Sequence, residues 1–349
     1  MKLLKSLAIA AIAVTAALPA RPCSRVVFLS QDTDIVLVGR TLDWRTPIPT
    51  NIYVYPRGIQ KQSMPSGPRF EWTSKYGSAL AVGYDGGVTE GMNEKGLVMN
   101  GLFCKGTIYK TSTSTDTVTP VMSLSVFVSY FLDNFATVDE VYDFLSNPAN
   151  TFAINGQAFD GGTASLLHWG ITDASGETLI MEWQDSKLNL YRGRDLRVLT
   201  NDPAFPLMQG IDNYWKQVNG VNFLPGTVRS ADRFARASFF INHVPDSVDY
   251  NTAMASLQSI MGTVSVPFGY EIQGEPNVSS TQWRSTSDSR GGKYYFKFAD
   301  SLNTFYVDLN SILLTPGAPI LKLDTKEHGD FVGCINHRLK ISKGFTPMW

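Results

Sequence analysis

From Ser24 onward the chain strings β-like segments together before any helical pattern appears: SRVVFLS (24–30), DIVLVGRTLDW (34–44), NIYVYPRGI (51–59), GSALAVGYDGG (77–87) and GMNEKGLVMNGLF (91–103). These runs are rich in Val, Ile and Tyr, and their simplest arrangement is an antiparallel meander. Two helical segments follow, VMSLSVFVSYFLDNF (121–135) and TVDEVYDFLSN (137–147). The first is apolar all round and is predicted to be buried; the second opens on a capping box of Thr137 and Glu140 and closes at Asn147-Pro148. Strand text returns at 165–183, where DASGE makes a turn between two alternating runs, and continues through KLNLYRG (187–193) to LRVLTN (196–201). Helices are predicted again at SADRFARASFFINHV (230–244) and NTAMASLQSIM (251–261), before a last strand pair at KYYFKFAD (293–300) and NTFYVDLN (303–310). Strands and helices therefore come in separate blocks without βαβ alternation. That order sets the fold class as α+β, with helices laid over antiparallel sheets. No internal repeat or long linker divides the chain, so residues 23–349 read as a single domain.

Residues 1–22 read differently. Lys2 and Lys5 precede an apolar run, LAIAAIAVTAAL, and a Pro19-Ala20 cleavage neighbourhood. This is the pattern of a cleaved secretory signal followed by a short residual propeptide, and the apolar run is too short to span a bilayer comfortably. The expected location is secreted or periplasmic, without stable membrane insertion. Cys23 then stands at or next to a processed N-terminus. One explanation is a lipoprotein anchored at Cys23, although Arg21 and Pro22 occupy places where such signals carry small residues. The other is catalytic: a first-residue cysteine carries a thiol nucleophile and a free α-amine together. An α-amine titrates at about 7.7–8, so it serves as the base near neutral pH without a histidine partner.

The rest of the sequence is consistent with that economy. Its four histidines, His168, His243, His328 and His337, belong to no recognisable catalytic motif and read as ordinary core or surface residues. HExxH, CxxC, GxSxG and GxxxxGK[ST] are all absent, so zinc hydrolase, serine hydrolase and P-loop chemistries lack their parts; neither a metal nor a cofactor is expected. Charged residues make up 17% of the chain and the net charge is −1, which leaves no basic surplus for nucleic acid. The expected partner is a small molecule, and an aromatic content of 12% suits a pocket for apolar ligands. Three cysteines are too few for a disulfide framework. Cys104 and Cys334 are able to pair in an oxidising compartment, and the sequence leaves that open. NVS at 277–279 is a glycosylation acceptor only where the organism glycosylates.

Four further stretches, in order behind Cys23, complete a pattern: GRTLDW (39–44), GMNEKGL (91–97), LTNDPAF (199–205) and SADRFARA (230–237), with TQW (281–283) and KYYFKFAD beyond them. Together they resemble the choloylglycine hydrolase family of N-terminal-nucleophile (Ntn) cysteine hydrolases, which includes bile salt hydrolases and penicillin V acylases. TNIYVYPRG and WTSKYGS are most similar to the Gram-negative penicillin V acylase branch, and the stretch between Asn201 and Arg233 is about twenty residues shorter than in the Gram-positive branch. The resemblance implies a four-layer αββα sandwich and cleavage of a linear C–N amide bond, without a metal or cofactor. It implies roles for Cys23 as nucleophile, Arg40 as a positive charge that lowers the thiol pKa, and Asp43 as acceptor for the α-amine. Asn201 would donate its side-chain amide to the oxyanion, with the Phe103 backbone N–H as second donor, and Arg233 would support the charge network. Phe103 and Trp44, with the aromatic text around Tyr53 and Tyr55, imply an apolar acyl pocket suited to aryl- or fatty-acyl amides. Conjugated bile acids and N-acyl homoserine lactones remain alternative substrates, a non-catalytic secreted binder is the alternative of another class, and a homo-oligomer, tetramer or dimer, is left open.

Overall fold

The computed structural model describes residues 22–30, 34–113, 115–157, 165–270 and 279–349. The leader up to Arg21 and most of the NVS sequon lie outside the described residues. The expected meander is not what the first strands form. β1 (Cys23–Leu29) and β2 (Val36–Trp44) make an antiparallel hairpin in one sheet, and the chain then crosses to another for β3 (Thr50–Tyr55). A short ribbon of β4 (Gln60–Gln62) and β5 (Glu71–Thr73) intervenes before β6 (Ser78–Gly83), β7 (Gly87–Asn93) and β8 (Val98–Phe103). GMNEKGLVMNGLF, expected as one strand, is the end of β7, a turn, and β8.

The chain continues through β9 (Val121–Ser123), α1 (Leu124–Asn134), α2 (Val138–Ser146), β10 (Ala153–Asn155), β11 (Leu167–Thr172), β12 (Thr178–Gln184), β13 (Lys187–Arg192) and β14 (Val198–Leu199). Three helices come next: α3 (Phe205–Val218), α4 (Ser230–Ile241) and α5 (Tyr250–Val264). It closes with β15 (Ser280–Asp288), β16 (Lys293–Phe298), β17 (Phe305–Asp308), β18 (Ile320–Leu323), β19 (Gly333–Cys334) and β20 (Lys340–Ser342). One sheet has the order β14-β1-β2-β15-β16-β17-β19 and the other β13-β12-β11-β8-β7-β6-β3-β18-β20. Apart from β17 against β19, neighbouring strands in both run antiparallel.

Three cores stack through the molecule. Val38, Ile52, Trp283 and Phe296 fill the space between the sheets. Phe127 and Phe131 of α1 pack with Trp169 and Trp183 of the sheet beneath it, while Val26 and Phe28 of β1 pack with Phe234 of α4 and Leu257 of α5. The result is a four-layer αββα sandwich. α1 is buried along almost its whole length, as its all-round apolar pattern predicts. In α2, Thr137 Oγ1 accepts the Glu140 N–H at 3.2 Å, and Glu140 Oε2 returns to the N–H of Ala136 rather than of Thr137.

Glycine geometry explains part of the GMNEKGL stretch. Gly96 turns the chain between β7 and β8 with φ +82°, and a Cβ there would sit 2.0 Å from the carbonyl oxygen of Ser289, in the turn that follows β15 of the facing sheet. Gly96→Ala should therefore cost about 2–4 kcal/mol, combining a disfavoured backbone region with displacement of a rigid carbonyl. Urea unfolding checks this; an unchanged midpoint would show that the two sheets separate there at no cost.

Candidate active site

Cross-strand register assembles the site. In the β1–β2 hairpin Cys23 lies opposite Leu42 and Arg25 opposite Arg40, and β15 places Thr281 opposite Asp43. Side chains alternate between faces of a strand, so Arg25 and Arg40 enter the space between the sheets, whereas Gly39 backs onto Leu257 and Met261 of α5. Cys23, at the start of β1, is 4% exposed. Its N–H donates to Asn201 Oδ1 at 2.7 Å, and its carbonyl accepts from Arg233 Nη1 at 2.6 Å. Its Sγ lies 3.9 Å from Arg40 Nη2 and 3.9 Å from the Asp43 carbonyl oxygen.

Arg233 belongs to α4 but is no surface residue. It is buried, and its fork also donates to Ser24 Oγ at 2.5 Å, Asn201 Oδ1 at 2.6 Å and the Val228 carbonyl at 2.9 Å. Burial pushes its pKa down to about 10, opposed by Asp43 and Cys23. Asn201 sits in the loop after β14. Two donors converge on its Oδ1, which fixes the amide orientation, and its Nδ2 donates to the Phe103 carbonyl at 2.7 Å. Asn201 therefore ties Phe103 directly to the backbone nitrogen of Cys23. The Phe103 ring stands edge-on to Trp44, with centroids 6.2 Å apart.

Two details differ from the implied roles. With Pro22 still attached, the Cys23 N–H is taken by Asn201 and not by Asp43. Asp43 is buried, its Oδ2 accepts from Thr41 Oγ1 at 3.1 Å, and its Oδ1 has no donor among the described residues. Burial pushes its pKa up to about 6 against the pull of Arg233. The thiol of Cys23 is likewise raised above its ordinary value, because burial outweighs the lowering effect of Arg40 and Arg233. Arg40 does act in the expected direction. It does not overcome desolvation, so the sulfur in this state needs a base.

The structure also brings in residues that the sequence reading did not single out. Glu90 of β7, fully buried, pairs with Arg40 Nη1 at 3.3 Å and accepts from Tyr294 Oη at 2.6 Å and Asn100 Nδ2 at 3.1 Å. Arg25 reaches the same group through Asn100 Oδ1 at 2.8 Å and bonds Thr172 Oγ1 at 2.6 Å. Arg40 also lies over the Trp283 ring, 4.7 Å from its centroid. Three buried guanidiniums, of Arg25, Arg40 and Arg233, face two buried carboxylates, of Glu90 and Asp43. One surplus positive charge remains beside Cys23, enough to balance one thiolate or oxyanion. The visible signal for Glu90 was a lone acid within strand text, GGVTEGM.

Other expectations are corrected. Tyr53 and Tyr55 line no pocket beside Cys23; they pack with Phe345 of the C-terminal segment, and Tyr53 Oη donates to Asp85. Both point away from the inter-sheet core that takes their neighbours Ile52 and Val54. Cys104 is buried after β8 and Cys334 is exposed on β19; both are free thiols, as is Cys23.

Comparison with known proteins agrees with this geometry. The family described as linear amide C–N hydrolases, choloylglycine hydrolase family, matches residues 23–328. A penicillin V acylase of Pectobacterium atrosepticum is 35% identical over 321 residues, covering 86% of this chain and 85% of that protein. A bile salt hydrolase/transferase of Clostridium perfringens is 28% identical over 307 residues, covering 78% and 88%. Among solved structures, penicillin V acylase from Agrobacterium tumefaciens superposes with a TM-score of 0.84 at 36% identity, covering 93% of this chain and 99% of that one. A conjugated bile acid hydrolase from Clostridium perfringens, 23% identical with a TM-score of 0.72 over 90% and 99% of the two chains, shares the fold. The αββα sandwich with Cys23 heading its first strand is thus an Ntn-hydrolase architecture, and the chain belongs to the choloylglycine hydrolase family of linear amide C–N hydrolases.

Proposed function

We propose that the protein is an N-terminal cysteine amidase of the penicillin V acylase type, exported by its leader and activated when the chain is cut before Cys23. The released α-amine removes the Sγ proton, and the thiolate attacks the substrate carbonyl. The resulting oxyanion is held by the second Nδ2 hydrogen of Asn201 and by the Phe103 N–H. The α-ammonium then gives its proton to the leaving amine, which departs as the C–N bond breaks and a thioester forms. Water, deprotonated by the same α-amine, attacks the thioester and releases the acid and the thiol. Asp43 Oδ1, a buried acceptor without a donor among the described residues, receives one of the new hydrogens of the α-ammonium and orients it. The observation that carries this reading is the convergence of Asn201, Arg233 and Arg40 on the backbone and sulfur of a buried Cys23. That burial at the head of β1 also speaks against a lipid-modified Cys23.

For substrate, the edge-on Trp44–Phe103 pair favours a flat apolar acyl group, phenoxyacetyl or a fatty chain, over a hydroxylated steroid. Such a pocket discriminates by roughly 1–3 kcal/mol per misplaced group, so the preference should appear as a ratio of kcat/KM values. The mature enzyme is to be assayed on penicillin V, penicillin G, glycocholate, taurocholate and a long-chain acyl homoserine lactone under one set of conditions. Penicillin V is expected to exceed glycocholate at least about tenfold. The reverse order assigns the site to bile acid conjugates and leaves the cysteine chemistry in place; inertness of all five with a free Cys23 N-terminus defeats the catalytic reading.

A further inference from the structure

Behind the loop that carries Asn201 lies a buried polar triad with no part in the chemistry above. His168 of β11 is fully buried; its Nδ1 lies 2.8 Å from Glu182 Oε1 on β12, and its Nε2 lies 2.7 Å from the Thr200 carbonyl oxygen. Glu182 in turn accepts the Phe205 N–H, at 2.9 Å to Oε2 and 3.1 Å to Oε1. Phe205 opens α3, and the residue before it, Ala204, has no side chain able to cap a helix. A carboxylate from a neighbouring strand thus does what a capping residue would do, at the end of the helix where negative charge is favoured.

The two contacts grip the loop at both ends. Thr200 is fixed by His168 and Phe205 by Glu182, and the residues between them, starting with Asn201, hang between two points tied to each other. On the far side Asn201 N–H donates to Ser230 Oγ at 2.8 Å, so the loop is pressed between the β11–β12 hairpin and α4. We propose that His168 and Glu182 form a clamp that positions Asn201 beside Cys23. The inference rests on the role given to Asn201 above and deepens it. Both partners of the ring are acceptors, so His168 must donate from both nitrogens. Burial opposes a charged ring, but Cys104 and Glu182 beside it outweigh that and hold its pKa at about 10. The same three side chains offer ligand atoms within 4.8 Å of one another, the spacing of a metal site. Both ring nitrogens, however, already face acceptors, and hydrogens there leave no lone pair for a cation.

The test is a mutant cycle on the mature enzyme, with His168→Phe, Glu182→Gln and Asn201→Ala alone and in pairs, read by kcat, KM, melting temperature and the rate at which iodoacetamide alkylates Cys23. His168→Phe and Glu182→Gln are each expected to lower kcat about 10²-fold, the cost of a misplaced oxyanion donor, with KM within about twofold. On the Asn201→Ala background each should cost less than about threefold more, because the group through which they act is gone. Full multiplication of the losses would mean a general structural role and would overturn the clamp. Wild-type kcat in Asn201→Ala alone would remove the role of Asn201 and overturn the clamp with it, whereas failure of the cycle with an inactive Asn201→Ala would overturn the clamp alone. If His168→Phe does not fold, the near-isosteric Glu182→Gln pair decides; if kcat falls below detection, the alkylation rates form the same cycle. A stoichiometric zinc in wild-type protein that is lost with His168→Phe would also overturn the proposal.

Discussion

Cys23→Ala is expected to remove amide hydrolysis while leaving the sandwich folded. Deleting a covalent nucleophile lowers kcat by roughly 10⁶ in well-studied hydrolases, and here no second thiol reaches the site, since Cys104 Sγ is engaged toward Asp202 and Cys334 lies on an outer strand. The structural change is one sulfur atom at the start of β1, worth about 1 kcal/mol of burial. Melting temperature should therefore move by only a few degrees. Cys23→Ser separates nucleophilicity from shape: a hydroxyl is scarcely ionised where burial already raises a thiol, so its turnover should lie close to that of the alanine variant. A tag that permanently acylates the Cys23 nitrogen should be as damaging, because it removes the base and keeps the sulfur. The assays are turnover of penicillin V and mass spectrometry of each N-terminus; turnover by a verified tagged enzyme would assign the proton to another group.

The second large effect is expected at Glu90. Glu90→Gln leaves the shape and removes the charge that pairs with Arg40 and draws Arg25 through Asn100. Removing one partner of a buried ion pair costs about 3–5 kcal/mol, because the remaining charge stays desolvated. In a domain of this size that lowers the melting temperature by roughly 4–7 °C. It should also slow the reaction of Cys23 with iodoacetamide, since Arg40, left with only the Gly101 carbonyl and the Trp283 ring to hold it, stays less firmly beside the sulfur. A melt within two or so degrees of wild type, with unchanged alkylation, would falsify the view that Glu90 holds Arg40 in place.

Much of the fold was legible because it is written in local periodicity. Alternation marked the strand runs, an unbroken apolar run marked α1, a 3.6-residue pattern marked α4 and α5, and Thr137 with Glu140 marked the start of α2. α3 was not legible. It opens on Ala204, carries Pro206 and Gly210, exposes Leu207 and Tyr214, and takes its cap from Glu182 on a distant strand. No local signal announces a cap supplied by another element.

By itself the sequence determined four of the five helices and much of the strand text, though not α3 or β15, that a cysteine would head the folded chain, and that Arg40, Asp43, Asn201 and Arg233 would stand in the order of the family's pattern. Those features are local or linear, and they need no knowledge of neighbours. Only the tertiary structure decided the rest: that β2 and β3 belong to different sheets, that Tyr53 and Tyr55 face away from Cys23, that Cys104 and Cys334 are both free thiols, and that Arg233 is buried at the nucleophile. It also decided that Glu90 and Arg25 meet between the sheets, which depends on β1, β2, β7 and β8 stacking face to face. A residue's own neighbourhood in the chain fixes its backbone preference, whereas its charge state and its partners are fixed by whatever the other sheet brings against it.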